Sequence, residues 1–510
     1  MVTVDPGLIV HLPDEAAAHA FAQDLAAILR TGDVVAMTGD LGAGKTTLAR
    51  ALIRQLAGEP DLEVPSPTYT LTQTYETAPK VTHFDLYRLA DDSELDELGF
   101  EEAAETGIVL VEWPERARQV LEEANLTIAL RIAPDGGRDA TLSPTPELAL
   151  RLARSLAIRQ FLVDAGFDGA HRMPFPADAS MRRYERATHD GRSMVLMDAP
   201  AQPPGPAIRD GRAYTEIAHI ARDVRPFVAI AEELTARGFT APRILAADVP
   251  AGLVLLSDLG VEGIVTPDGV PIPARYEASA RALALLHAED FTGPIETRHG
   301  FAWAIPPFDR PALAIEVELL ADWYWPRQHG EPIPDAKRDA FRAAWSATFD
   351  ALEGARRGLV MRDFHSPNIL WQAAEDGPRR IGLLDFQDAM IGPVAYDLAS
   401  LAQDARVDMP LELEEAVSAA YLEEALAIDP AFDAEMHAAQ YAIMAAQRAT
   451  KLLGLFVRLH ERDGKPQYLR HIPRIQTYLN RSLAHPANAR LKAIYDDWGV
   501  TGAWRTTDET

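Results

Sequence analysis

Residues 39–47 read GDLGAGKTT, which fits G-x-x-x-x-G-K-[ST] with Gly39, Gly44, Lys45 and Thr46 in the fixed places. No other stretch constrains the fold as much. Backbone N–H groups turn inward around phosphate oxygens only where glycine frees the chain, and a helix N-terminus beyond them adds favourable dipole. The flanks fit this need: DVVAMT reads as a strand and TTLARALIRQLA as a helix. Gly39, Asp40, Leu41, Gly42, Ala43, Gly44, Lys45, Thr46 and Thr47 therefore form a candidate cradle for ATP. Lys45 reaches the β and γ phosphates and the Thr46 hydroxyl sits on Mg2+.

Strand-like runs (DVVAMTG, VTHFDLYRL, GIVLVEW, LTIALRIA) alternate with amphipathic segments through the first 135 residues, which predicts an open, mostly parallel α/β sheet. APDGGRDATLSPTPE, at 133–147, breaks the pattern and marks a boundary, with residues 141–150 as linker. Then LALRLARSLAIRQFLVDAGF, apolar at helical spacing, opens a second unit. Residues 181–260 read as strands and turns with one helix, and from 273 onward the pattern is mainly helical. At 510 residues, with 47% hydrophobic and 25% charged side chains, the chain has material for two or three packed domains.

The chain has no cysteine, which removes disulfides, thiolate zinc sites and a cysteine nucleophile together. A formal charge of -27 disfavours strong direct binding to nucleic acid, whose affinity comes from Lys and Arg on phosphates. The N-terminal MVTVDPGLIVHLPDE is acidic where a secretion signal needs a basic region, and no apolar run is long enough to span a bilayer. The expectation is a cytoplasmic protein without membrane contact.

Together with the phosphate loop, LPDE at 12–15, SPTYTL at 66–71, HFDLYRL at 83–89 and VEWPE at 111–115 resemble the TsaE family. These are small ATPases of bacterial tRNA threonylcarbamoyladenosine biosynthesis, and the likeness covers residues 8–140. The resemblance implies that Thr46 and Glu112 hold Mg2+ and that Asp85 takes the acidic position near the γ-phosphate. It also implies that Ser66 to Thr70 sense nucleotide and that Glu15 lies near the adenosine. Partners implied are the proteins of the tRNA threonylcarbamoyl-transfer complex. Asp85 and Glu112 each end an apolar run, which puts carboxylates at strand ends, where open α/β sheets bind ligands.

The second chemical signal is MRDFHSPNIL, in which Asp363 stands five residues before Asn368, the spacing of H-R-D-x-x-x-x-N. The Asp accepts the proton of a substrate hydroxyl while the Asn reaches a metal ion. Asp385, in LLDFQD, ends an apolar run as the counterpart of the metal-binding Asp of D-F-G. Met361 replaces the usual His. No G-x-G-x-x-G loop precedes the site, and DASMRRYERAT at 178–188 is the nearest candidate. In VLMDAP, Met197 or Asp198 stands where a phosphate-pairing lysine is expected.

These features resemble the aminoglycoside phosphotransferase-like kinases, and within them the AmgK-type kinases of N-acetylmuramate and N-acetylglucosamine. The resembling stretches include DASMRRYERA, VLMDAP, APRILAAD, LLSDLG and LLDFQDAMIGPVAYDLASLAQDARV. The fold implied is an α/β P-loop NTPase domain (1–140) followed by a bilobal α+β protein-kinase-like domain (151–510). The implied function is bifunctional: an ATPase supporting tRNA modification and an ATP-dependent anomeric kinase of cell-wall amino sugars. Asp363 is the expected base, with Asn368 and Asp385 on Mg2+, Arg182 or Arg183 on the ATP phosphates and Ser257–Gly260 as the adenine hinge. Trp323 and Tyr324 are candidates to stack on the amino-sugar substrate, although aromatics more often fill a core. His365, Asp404 and Arg406 are read as ordering the loop. Two alternatives stay open for the second half: a kinase of another small alcohol, and a non-catalytic binding module.

Overall fold

The computed structural model describes residues 8–175 and 182–504. The chain forms two compact units, Met1–Asp198 and Ala199–Thr510.

The first unit is built on seven strands: β1 (Leu8–Leu12), β2 (Val34–Thr38), β3 (Thr72–Tyr75), β4 (Val81–Asp85), β5 (Ile108–Glu112), β6 (Leu126–Ile132) and β7 (Arg138–Pro144). Their order in the sheet is β1-β7-β6-β2-β5-β4-β3. The inner strands β6, β2, β5 and β4 run parallel, and β1, β7 and β3 are antiparallel additions. Central strands buried on both faces should read as continuous apolar runs, and VVAMT and IVLVE do. Val35, Met37 and Leu110 pack on one face against Leu25 of helix α1 (Glu15–Ala26) and Leu52 and Ile53 of helix α2 (Lys45–Ala57). Val34, Ala36, Val109 and Val111 pack on the other against Phe100 and Val120.

The segment expected to break the pattern instead completes the sheet. Ala140 and Leu142 alternate inward along β7, and β7 pairs with both β1 and β6. The expected linker, 141–150, is the end of that strand and the start of the helix Pro146–Asp164. This helix belongs to the first core: Leu148 and Leu152, one turn apart, pack in the same apolar cluster as Leu25. Its Arg151 donates to both oxygens of Asp33 at 2.7 and 2.8 Å. Turn-forming residues at 133–137 hid a hairpin whose strand is carried by only two inward side chains.

Three antiparallel strands, His171–Pro174, Arg183–His189 and Arg192–Asp198, close this unit. The fully buried Arg172 holds Glu185 in a two-pronged pair at 2.7 and 2.9 Å, Asp24 of α1 at 2.7 Å and the Ser155 carbonyl at 3.1 Å.

The second unit contains the helix Arg225–Ala236 and the antiparallel pair Ile244–Asp248 and Leu253–Ser257. Beyond residue 273 it is mainly helical, as the periodicity predicts. Two hairpins carry the chemistry: Arg357–Val360 with Met390–Pro393, and Ile369–Trp371 with Ile381–Leu383. Behind them runs the helix Ala434–Glu461, which packs on the helix Arg310–Leu319 and on the single π-helical turn Leu320–Tyr324 that follows it. Among the described residues no helix is long and apolar enough to cross a membrane.

Candidate active sites

The loop between β2 and α2 curls as the glycine pattern demands. Gly39 has φ 133°, and a Cβ there would lie 2.3 Å from the Leu130 carbonyl oxygen, so only glycine fits. Lys45 Nζ donates to the Gly39 and Asp40 carbonyls at 2.6 and 3.1 Å and lies 3.7 Å from the centre of the Trp113 ring. Burial holds its ammonium below the usual lysine range, opposed by the charges of Glu112, Glu115, Asp85 and Asp40. Parallel register places Asp85 beside Glu112 at the ends of β4 and β5. The Thr46 hydroxyl donates to Glu112 Oε2 at 2.9 Å, and the other Glu112 oxygen meets the fully buried His83 Nε2 at 3.1 Å. Asp85 Oδ2 accepts from Ser66 at 2.6 Å and Thr68 at 2.7 Å, which ties the expected nucleotide-sensing segment to the acid at the strand end.

Lys45, Thr46, Asp85 and Glu112 are thus brought together. Glu15 is exposed in the first turn of α1, next to the Asp14 cap that accepts from Ala17 N at 2.9 Å. Arg138 was not foreseen. It donates to the loop carbonyls of Ala43 at 3.0 Å and Gly42 at 3.3 Å, and its distance in sequence left no local signal.

In the second unit the loop Met361–Asn368 is fixed by backbone capture. The Met361 and Arg362 amides donate to the two oxygens of buried Asp397 at 2.5 and 2.9 Å. The Arg362 guanidinium is buried, donates to the Ala218 carbonyl at 3.0 Å and pairs with Glu316. Asn368 Nδ2 donates to the Asp363 carbonyl at 2.9 Å and lies 3.5 Å from Asp385 Oδ2, so the three expected residues converge. Asp385 adopts a left-handed backbone, φ 55°, and its Oδ1 accepts from Gln387 at 2.7 Å.

Burial pushes the Asp363 carboxyl up, but Lys451 foremost, with Arg362 and Arg448, outweighs it and holds the group below the usual carboxylate range. The Asp363 carboxyl is therefore ionised at neutral pH. Lys451 is also buried and meets Glu316 at 3.0 Å. Glu316 and Lys451 carry no motif, because helices far apart in sequence bring them together behind Arg362.

Asp404 accepts from the Ser366 amide at 2.8 Å, the Arg406 amide at 2.9 Å and the Tyr276 hydroxyl at 3.1 Å, so it orders the loop. His365 lies beside it, Nδ1 4.0 Å from Asp404, and burial drives its pKa down to about 4, which keeps the imidazole neutral.

The remaining expectations fare unevenly. Tyr324 is a correction: it is 2% exposed in the helical core, its hydroxyl accepts from Gln476 at 3.0 Å, and no face is left for a sugar. Trp323, next to it, is partly buried against the same core. Met197 is buried, and Asp198 accepts from Arg154 at 2.5 and 3.0 Å. Arg183 opens its strand and is exposed, with Arg182 just before it; residues 178–181 of the loop candidate lie outside the described residues, as do residues 1–7 of the N-terminal stretch. At the expected hinge, Ser257 Oγ accepts from the Arg243 amide, and the Leu259 carbonyl accepts from Gln372, each at 2.9 Å.

Fold and sites define a chain with two nucleotide-handling enzymes, a P-loop ATPase followed by a protein-kinase-like phosphotransferase. Residues 12–140 match the family described as threonylcarbamoyl adenosine biosynthesis protein TsaE, and residues 171–436 match the phosphotransferase enzyme family. An N-acetylmuramate/N-acetylglucosamine kinase of Caulobacter vibrioides is 35% identical over 360 residues, 68% of this chain and 98% of that protein. One of Pseudomonas aeruginosa is 33% identical over 326 residues, 62% of this chain and 84% of that protein. The tRNA threonylcarbamoyladenosine biosynthesis protein TsaE of Rickettsia felis is 38% identical over 128 residues, 25% of this chain and 74% of that protein. The chain belongs to the phosphotransferase enzyme family and carries a TsaE-family ATPase domain fused in front of it.

Proposed function

We propose that the C-terminal half transfers the γ-phosphoryl group of ATP to the anomeric hydroxyl of N-acetylmuramate and N-acetylglucosamine, and that the N-terminal half hydrolyses ATP in support of threonylcarbamoyladenosine modification of tRNA. The convergence of Asp363, Asn368 and Asp385 carries the reading for the kinase, with the relatives' names supplying the sugars. In this reading the Asp363 carboxylate accepts a hydrogen bond from the attacking hydroxyl and takes its proton as the oxygen attacks phosphorus. Such transfer rests on positioning and charge neutralisation, which the anchored loop provides.

The donors fit Mg2+ in both halves. Asn368, whose Nδ2 lies 3.5 Å from Asp385 Oδ2, has an amide oxygen to offer beside that residue's carboxylate group, and Thr46 and Glu112 offer a hydroxyl and a carboxylate that meet at 2.9 Å. Mg2+ prefers oxygen ligands, one or two carboxylates with phosphates and water, and supplies neutralisation of phosphate charge when bound. Partners of the first half are the proteins of the tRNA threonylcarbamoyl-transfer complex, and the working compartment is the cytoplasm.

The test is ATP consumption by the full chain with and without each sugar, with phosphorus NMR of the product. Sugar-dependent turnover to a 1-phosphate that Asp363→Asn removes supports the kinase; two inert sugars defeat it. Lys45→Ala should abolish the slow sugar-independent hydrolysis, and hydrolysis that survives it refutes the ATPase assignment.

A further inference from the structure

His11 stands on β1 with a carboxylate at each ring nitrogen. Its Nδ1 lies 2.8 Å from Oδ1 of Asp139, its register partner on β7, and its Nε2 lies 2.9 Å from Oδ2 of Asp135 in the turn before that strand. A neutral imidazole has one N–H and can donate to only one of them, whereas the imidazolium donates to both. The arrangement therefore suits the charged ring. The Gly137 amide donates to Asp135 Oδ1 at 2.9 Å and is the first cause that keeps this carboxyl ionised. The Asp139 hydrogen bond, with the charge of Asp135, holds the His11 pKa above its ordinary value. Nearly half of the side chain is exposed, so the ring exchanges protons with water.

The turn held in this way is the one that supports the phosphate loop. Arg138, between the two carboxylates, donates through Nη1 to the Gly136 and Gly137 carbonyls at 2.7 and 2.9 Å. Its Nε and Nη2 reach the Ala43 and Gly42 carbonyls of the loop at 3.0 and 3.3 Å. Gly137 lies so close to the end of β1 that a Cβ there would stand 2.8 Å from the Leu12 carbonyl oxygen. Asp14 and Glu15 follow directly, at the start of α1. Among the described residues no other charged group meets His11 at hydrogen-bonding or ion-pair distance.

We infer that His11 is a positioning residue of the ATPase, a proton-dependent clasp: as imidazolium it ties Asp135 to Asp139 and so seats Arg138 against the phosphate loop in the form that binds ATP. It acts only through that turn, since it makes no hydrogen bond to the loop. Loss of the proton releases one of the two carboxylates, loosens the turn and weakens ATP binding. The clasp is closed below the folded pKa of His11 and open above it. Exposed ion pairs supply modest energies, so the effect is a few-fold one.

The test uses the full-length protein and its sugar-independent hydrolysis, whose slow chemistry makes KM for ATP a measure of affinity. His11→Gln keeps one donor and loses the charge. The ratio of its KM to that of the unsubstituted protein should be at least threefold at pH 6.0 and approach one at pH 8.5, where each side chain donates once. Protonation of ATP itself cancels in this ratio. A ratio that is the same at both pH values overturns the inference, since a purely structural role does not titrate. If His11→Gln does not fold, NMR titration of the unsubstituted protein decides. The His11 imidazole should titrate above 6.5, and saturation with a non-hydrolysable ATP analogue should raise the midpoint by about 0.5 pH unit, the same factor of three seen from the proton's side. A midpoint at or below 6.5, or one that the analogue leaves in place, overturns it.

Discussion

Asp363 is surrounded by more positive than negative charge, and that field defines its role. Held below the usual carboxylate range by Lys451, Arg362 and Arg448, it is ionised at neutral pH, and in the proposed kinase reading it orients the hydroxyl and accepts a proton late. Asp363→Asn keeps size and loses this acceptor, so sugar-dependent kcat should fall about 10²–10⁴-fold with an unchanged melting temperature. A loss under tenfold would move the base elsewhere. Two buried imidazoles give a separate expectation at this scale. Burial lowers both His365 and His437 to about 4, while an unfolded histidine titrates near 6.5. Between these values the unfolded chain binds protons that the folded chain refuses, so stability falls as pH drops from about 6.5 toward 4. By pH 5 the loss should be on the order of 2 kcal/mol per histidine. Urea midpoints at pH 7.5 and 5 check this, and His437→Gln should flatten the dependence.

At the scale of elements, the catalytic loop depends on a helix that no motif announces. The helix Ala434–Glu461 approaches the helix Arg310–Leu319 so closely at Gly454 that a Cβ there would lie 2.1 Å from the Leu319 carbonyl carbon. One turn before, Lys451 reaches across the same contact to Glu316. Gly454→Ala must therefore push the helices apart, at a cost of about 1–3 kcal/mol or more. It should reduce sugar kinase activity while leaving the slow hydrolysis due to Lys45 in place; equal loss of both would show global unfolding. This contact also shows what the sequence could reveal. The phosphate loop and the Asp363–Asn368 spacing were legible because each is local, fixed by backbone geometry within ten residues. The pairing of Lys451 with Glu316 and of Arg138 with Ala43 was not, since each joins residues 95 or more positions apart, and nothing near them in sequence differs from an ordinary helix or hairpin. Tyr324 misled for the reverse reason: an aromatic in an apolar helix reads alike whether it faces a ligand or a core.

At the scale of the whole molecule, family boundaries and compactness divide the chain at different places. The TsaE match stops at residue 140, yet the first compact unit runs to Asp198. The helix Pro146–Asp164 explains part of the difference. Its Leu148 and Leu152 complete the apolar cluster around Leu25, its Arg151 neutralises Asp33, and its Arg159 reaches Asp24 at 2.9 Å. A fragment of residues 1–145 would expose that seam and leave two carboxylates without their arginines. Burying a leucine stabilises by about 1.5–3 kcal/mol, and stranding a buried carboxylate costs several more. A fragment of residues 1–170 retains the helix, and Arg159 still meets Asp24 although Arg172 is gone. It should melt at least 5 °C above the 1–145 fragment and remain soluble at higher concentration, as about 1 kcal/mol moves the midpoint of a domain this size by 2–4 °C. Thermal melts of the two fragments decide the point. Equal midpoints would mean that the helix serves the kinase half and only leans on the ATPase. The expected gap would mean that the ATPase fold has recruited its neighbour's first helix, so that the two halves cannot be cut apart at the family boundary without cost to the first.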